Sequence, residues 1–260
     1  MQNTIFLILA AFLLSNKMNA QGETYALIVG IADYKNTSME NGDLRYTQND
    51  ALKFYDFLRS SKGGSVPKDN IAFLKNQSAT KANIKKYLHQ LFTKAKDSDR
   101  IIFYYTGHGI GNYIIPYDAS KERNSFLSYG DLKAAFKNSR ADVKLCIIDA
   151  CFSNSLKTKN NNGIQRRSAE TIDSNEQIAI MVSSQDYQTS REYRALKQGV
   201  FSYFLINGLE GRADKDRNKL ITIAELHEYV YKNVKIYTQN QQIPHTFGRF
   251  PKDMPVLRLN

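Results

Sequence analysis

Val143-Lys144-Leu145-Cys146-Ile147-Ile148-Asp149-Ala150-Cys151-Phe152-Ser153 begins as an apolar run and ends in a carboxylate, a small residue and a thiol. So little alternation suits a strand buried on both faces, as in the middle of a parallel sheet. Such a strand delivers Asp149 and Cys151 to its carboxyl end, where open α/β sheets hold their ligands. An earlier stretch, Arg100-Ile101-Ile102-Phe103-Tyr104-Tyr105-Thr106-Gly107-His108-Gly109, has the same design and delivers a histidine between two glycines.

Working outward, strand and helix patterns alternate. Residues 25–31 read as a first buried strand, followed by a helix from about Asn49 with Leu52, Tyr55 and Leu58 on one face. A short strand at 71–74 precedes a helix capped by Thr80, with Ile84, Tyr87, Leu88, Leu91 and Phe92 at helical spacing. After the His108 strand, residues 112–118 read as a hairpin arm. Ser128 with Asp131 is a capping-box pattern opening the next helix. Beyond the Cys151 strand come a strand at 178–184, a helix at 201–206, a helix capped by Thr222, and an edge strand at 255–259. The alternation predicts an α/β sandwich: a mainly parallel, six-stranded sheet with helices on both faces. Carboxyl ends of neighbouring strands lie along one edge of such a sheet, which lets His108 meet Cys151.

The chain has 260 residues, 42% hydrophobic and 23% charged, an ordinary composition for a globular protein with room for one large core. Its net charge of +11 would suit nucleic acid or an anionic surface. The Lys and Arg are scattered without aromatic interleaving, so the reading is a solvated basic surface and no nucleic-acid partner. Residues 5–14 form an apolar run too short to span a bilayer, and Ala20 offers a small residue for cleavage before Gln21. Residues 1–20 are therefore expected to be a signal peptide. That implies an exported protein, periplasmic or extracellular, with no stable membrane insertion once the signal is removed. The mature domain then runs over 21–260: a larger segment at 21–153, a basic linker at 154–176 and a smaller segment at 177–260. Only Cys146 and Cys151 carry thiols. In one strand their α-carbons would lie about 16 Å apart and on opposite faces, so two free thiols are expected.

A cysteine peptidase needs a thiolate, a base to form it and donors for the developing oxyanion. Cys151 is the candidate nucleophile and His108 the candidate base, a dyad that would lower the thiol pKa and later protonate the leaving amine. Gly107 and Gly109 would let the substrate approach the backbone closely.

These segments resemble the caspase–metacaspase family of cysteine peptidases, in its bacterial branch. The resemblance is carried by Tyr104-Tyr105-Thr106-Gly107-His108-Gly109 and Asp149-Ala150-Cys151. Residues 25–31, Ile114-Ile115-Pro116-Tyr117-Asp118-Ala119 and Gly199-Val200-Phe201-Ser202-Tyr203-Phe204-Leu205 support it. It implies a caspase-like fold, His108 and Cys151 as the dyad, and the amides of Gly109 and Cys151 as oxyanion donors. It also implies an acidic S1 pocket for Arg or Lys, with Asp50 and Asp149 as its carboxylates. Peptide or protein substrates carrying basic residues would be the partners. A buried carboxylate pair selecting a cation is physically consistent with that role. The chain departs from the family after the nucleophile, where Phe152-Ser153-Asn154 replaces the metacaspase His-Ser-Gly. The caspase Gln-Ala-Cys-x-Gly pattern is not met either. The 154–176 stretch sits where the family separates its subunits, and Lys157, Lys159, Arg166 and Arg167 are candidate self-cleavage sites.

Residues 214–225 have calcium-loop spacing, but Lys219 occupies the position where the sharp turn favours glycine. This copy reads as a decayed loop that caps the following helix. No cofactor is expected to be required, and calcium has no intact binding loop. The alternative to a peptidase is a caspase-fold binding or scaffold protein with a silent dyad.

Overall fold

The computed structural model describes residues 22–36, 44–152, 177–184, 192–193 and 195–259, with the backbone alone at 151, 152, 192 and 193. The signal segment at 1–20 and the basic linker at 154–176 lie outside the described residues. The main sheet contains β1 (Thr24–Gly30), β2 (Ile71–Lys75), β3 (Arg100–Ile110), β6 (Val143–Phe152), β7 (Ile178–Val182) and β11 (His245–Phe247), in the order β11-β7-β6-β3-β1-β2. All neighbours are parallel except β11, which runs antiparallel to β7. A short arm, β4 (Tyr113–Ile114) with β5 (Leu127–Ser128), extends the end of β3.

The chain moves outward from β1 to β2, then returns to β3 on the other side of β1. Right-handed crossovers require the connecting helix to change faces when direction reverses. Accordingly α1 (Thr47–Arg59), between β1 and β2, packs on one face. Helices α2 (Lys81–Phe92) and α3 (Tyr129–Lys137) pack on the other. The smaller segment returns to the α1 face with α4 (Val200–Asn207) and α5 (Ile223–Tyr237). The central strands separate two apolar cores, and nine consecutive residues of β3 are buried. At about 1.5–3 kcal/mol for each large side chain withdrawn from water, these strands anchor the domain.

Two details differ from the sequence expectation. Leu52 is 44% exposed, while Asp50, Ala51, Phe54, Phe57 and Leu58 form the buried side of α1. Hydrophobic spacing misjudges this face because a carboxylate occupies the sheet side of its first turn. Gly30 is also involved: a Cβ there would lie 2.5 Å from Ala51 Cβ, so its absence lets α1 press against β1. Secondly, β12 (Pro255–Arg258) joins β10 (Leu220–Thr222) in a separate two-stranded sheet. The outer strand of the main sheet is β11, from a segment where the sequence pattern predicts no strand.

The caps follow the sequence. Thr80 accepts from the Asn83 amide, and Ser128–Asp131 and Thr222–Glu225 are full capping boxes. Thr222→Ala leaves an amide of α5 without its acceptor. It is expected to cost about 1 kcal/mol, read as a fall of a few degrees in the thermal midpoint.

Candidate active site

Two central strands bring the expected dyad together. The β3–β6 register pairs Thr106 with Asp149, Gly107 with Ala150, His108 with Cys151 and Gly109 with Phe152. Directly paired residues of adjacent strands lie about 4.8 Å apart and share a side of the pleat. Tyr104 on β3 and Leu145 and Ile147 on β6 belong to the core under α1 and α4. Positions 106 and 108, and 149 and 151, continue those rows. Of the residues that the sequence marks, Asp50, His108 and Asp149 thus lie on one face at one end of the sheet, and Cys151 holds the register position beside His108. Gly109 follows His108 and also pairs antiparallel with Ile114.

The backbone of His108 is held from three directions. Its amide donates to Tyr34 Oη at 2.7 Å, and its carbonyl accepts from Tyr105 Oη at 2.7 Å and from the Ile115 amide at 3.1 Å. The Tyr34 ring lies 4.9 Å from the imidazole at 31°, so Tyr34 supports both the backbone and the ring of His108. Gly107 is required by space: a Cβ would lie 2.5 Å from Tyr105 Oη and 2.7 Å from Tyr34 Oη. Burial pushes the Tyr105 hydroxyl well above its ordinary pKa, which keeps it a donor to the His108 carbonyl.

The residue before Cys151 is clamped as firmly. Ser183 Oγ accepts from the Ala150 amide and bonds to its carbonyl, both at 3.2 Å, and the Ser183 amide donates to the Ile148 carbonyl at 3.0 Å. Gln242 Nε2 donates to the Ser183 carbonyl at 2.9 Å from a fully buried position. Polar side chains replace ladder bonds where β7 ends, while β6 continues toward Cys151. Cys146, by contrast, is a free thiol buried among apolar side chains, and burial pushes its pKa far up. It is a core residue with little thiolate character.

The expected acidic pair is also assembled. Asp50, the fourth residue of α1, is 1% exposed, and Asp149 is 6% exposed. The Gly199 amide donates to Asp50 Oδ2 at 3.0 Å, and Ser202 Oγ donates to Asp149 Oδ2 at 2.6 Å. A Cβ at Gly199 would lie 3.0 Å from Asp149 Oδ2 and 3.1 Å from Asp50 Oδ2, so both carboxylates converge on the α-carbon of this glycine. Gly199 closes the short hairpin of β8 (Glu192–Tyr193) and β9 (Gln198–Gly199). That hairpin is tied to α1 where Asn49 Nδ2 donates to the Lys197 carbonyl at 2.6 Å and Lys53 Nζ to Gln198 Oε1 at 2.7 Å. Buried carboxylates around one open point can hold a guanidinium or ammonium group.

Tyr34, Tyr104, Ser183, Gly199, Ser202 and Gln242 were not singled out as functional from the sequence. One signal was available: Ser202 is a small polar residue inside the apolar run of α4. Tyr34 lies in an irregular segment with no periodicity to mark it.

Among the described residues, Asp214, Asp216 and Glu225 are the acidic group with converging oxygens, all within 4.8 Å of one another. Their carboxylates accept the amides of Asn218, Lys219, Lys215 and Thr222. Lys219 has φ +66°, the left-handed conformation that favours glycine in a calcium loop. Glu225 spends one oxygen in the Thr222 capping box, the role expected for this segment. No helix among the described residues is long and apolar enough to cross a membrane.

Comparison with known proteins places the chain in a family. Residues 23–254 match the family model described as the caspase domain. A protein named "Probable protease" from a Desulfuromonadales bacterium is 30% identical over 152 residues, covering 50% of this chain and 18% of that protein. Metacaspase-1A from Aspergillus oryzae is 34% identical over 94 residues, covering 34% of this chain and 21% of that protein. The chain therefore spans about a fifth of the length of these curated relatives. The crystal structure of caspase-1 from Spodoptera frugiperda superposes with a TM-score of 0.62 at 16% identity, over 92% of this chain and 91% of that one. A protein from Geobacter sulfurreducens of known crystal structure gives a TM-score of 0.59 at 14% identity, over 92% of this chain and 100% of that one.

Proposed function

The chain belongs to the caspase-domain family, and from that premise we propose that it is an exported cysteine endopeptidase cutting peptide bonds after Arg or Lys. The observation that carries this reading is the pairing of His108 with Cys151 across adjacent parallel strands. His108 takes the thiol proton, and the thiolate attacks the scissile carbonyl carbon. The amides of Gly109 and Cys151 donate to the tetrahedral oxyanion. His108 then protonates the leaving amine, and water, deprotonated by His108, hydrolyses the thioester. Asp50 and Asp149 receive the cationic side chain that precedes the cleaved bond. Residues 1–20 act as a cleaved signal directing the enzyme to the periplasm or beyond the cell. The enzyme processes itself within 154–176, after Lys157, Lys159, Arg166 or Arg167. Intact mass of the purified protein tests both cleavages.

The deciding experiment is turnover of matched fluorogenic peptides ending in Arg, Lys or Asp, with calcium or with a chelator. Peptides ending in Arg or Lys are expected to be cleaved equally in both conditions. Asp149→Asn should lower kcat/KM for them about a hundredfold by removing one buried charge from the recognition pair. Cleavage after Asp would sink the roles given to Asp50 and Asp149. No cleavage at all, with Cys151 inert to an alkylating probe, would move the reading to a caspase-fold binding or scaffold protein.

A further inference from the structure

Asp149 lies at the end of a buried chain of hydroxyls that the dyad itself does not use. Tyr104 Oη and Ser202 Oγ are 2.6 Å apart, and Ser202 Oγ donates to Asp149 Oδ2, also at 2.6 Å. Both Tyr104 and Ser202 are fully buried. A serine hydroxyl has one hydrogen. Because Ser202 gives it to the carboxylate, Tyr104 must be the donor to Ser202. Burial, reinforced by the charges of Asp50 and Asp149, pushes the Tyr104 hydroxyl well above its ordinary pKa, so it keeps that proton. The ring beneath is fixed by stacking on Phe54 at 4.4 Å and 12°. Four elements therefore meet in one directional chain: α1 through Phe54, β3 through Tyr104, α4 through Ser202 and β6 through Asp149.

We propose that Tyr104 and Ser202 form a donor relay that aims the Asp149 carboxylate, with Ser202 the positioning residue for recognition of a basic side chain. The inference rests on the substrate reading given above. Among the described residues, the other titratable groups on this face are Asp50, from α1 across Gly199, and His108 at the end of β3, with Cys151 at the register position beside it. Asp50 opposes the charge on Asp149, since two carboxylates within about 6 Å disfavour each other's ionised form. The relay acts against that repulsion, because a hydrogen bond donated to an anion favours the charged state. Without it, Asp149 would lose the donor that fixes its carboxylate opposite Asp50, and a cation would be held less tightly between them.

The test measures kcat and KM for a peptide ending in Arg in wild type, Ser202→Ala and Tyr104→Phe, with the folded fraction of each recorded. Ser202→Ala is expected to raise KM about tenfold, the worth of one charge-assisted hydrogen bond, with kcat nearly unchanged. Tyr104→Phe keeps the ring stack and the last hydrogen bond, so its effect should run the same way and be smaller. If both variants match wild type, or if apparent kcat falls with KM unchanged as in an enzyme that is merely less folded, the relay is overturned while cleavage after Arg stands. If wild type does not cleave after Arg or Lys, the substrate reading fails and the relay falls with it.

Discussion

Cys151→Ala is expected to fold as wild type and to lose about four orders of magnitude or more in turnover of any peptide substrate. The loss should be nearly complete because, in the proposed mechanism, the thiolate is the atom that makes the covalent intermediate. His108→Ala should cost a comparable factor, and the double variant should be little worse than either alone. Residues that act as one chemical unit are not additive, and the register pairing of 108 with 151 is the structural reason to expect a unit. Folding should survive, because the end of β6 is fixed through the backbone of Ala150 and the hydroxyl of Ser183. The check is turnover per folded molecule, with the thermal midpoint recorded beside it. Retained cleavage in Cys151→Ala would remove the dyad altogether.

Much of this site is legible in the sequence because parallel sheets convert linear order into geometry. Two apolar runs ending in Gly107-His108-Gly109 and Asp149-Ala150-Cys151 announce buried strands whose carboxyl ends carry the candidate residues, and β3 and β6 are neighbours in the sheet. The caps of α2, α3 and α5 were legible for a different reason, since they depend on side chains three residues apart. What was not legible depends on contacts across long separations. Tyr34 meets His108 from 74 positions away, and Gln242 reaches Ser183 across 59. The misjudged face of α1 has the same origin. Asp50 is buried because Gly199, 149 positions later, donates to it, and no local spacing of apolar residues can register that bond. Strand β11 escaped notice because His245-Thr246-Phe247 has too few apolar residues to signal a strand. It pairs at the sheet edge, where only backbone bonds are needed.

Gly199→Ala is expected to be the most damaging of the single-methyl changes around the acidic pair. The backbone there, φ −65° and ψ 139°, suits alanine as well as glycine, so no conformational strain is added. The new methyl would instead stand 3.0 Å from Asp149 Oδ2 and 3.1 Å from Asp50 Oδ2, at the point both carboxylates face. Neither charge is removed, yet the place where a cation would lie between them is filled by an apolar group. A fall of about a hundredfold in kcat/KM for peptides ending in Arg or Lys follows, equivalent to the loss of one buried charged partner. It should appear mainly in KM, because the dyad is untouched. Overpacking will also cost about 1–3 kcal/mol of stability, so activity must be referred to the folded fraction. The comparison with Asp149→Asn is what gives the result meaning: one variant keeps the space and loses charge, the other keeps the charge and loses space. If the folded Gly199→Ala enzyme cleaves basic peptides as wild type does, the convergence of Asp50 and Asp149 on Gly199 is a feature of the core, and substrate recognition lies elsewhere on the sheet edge.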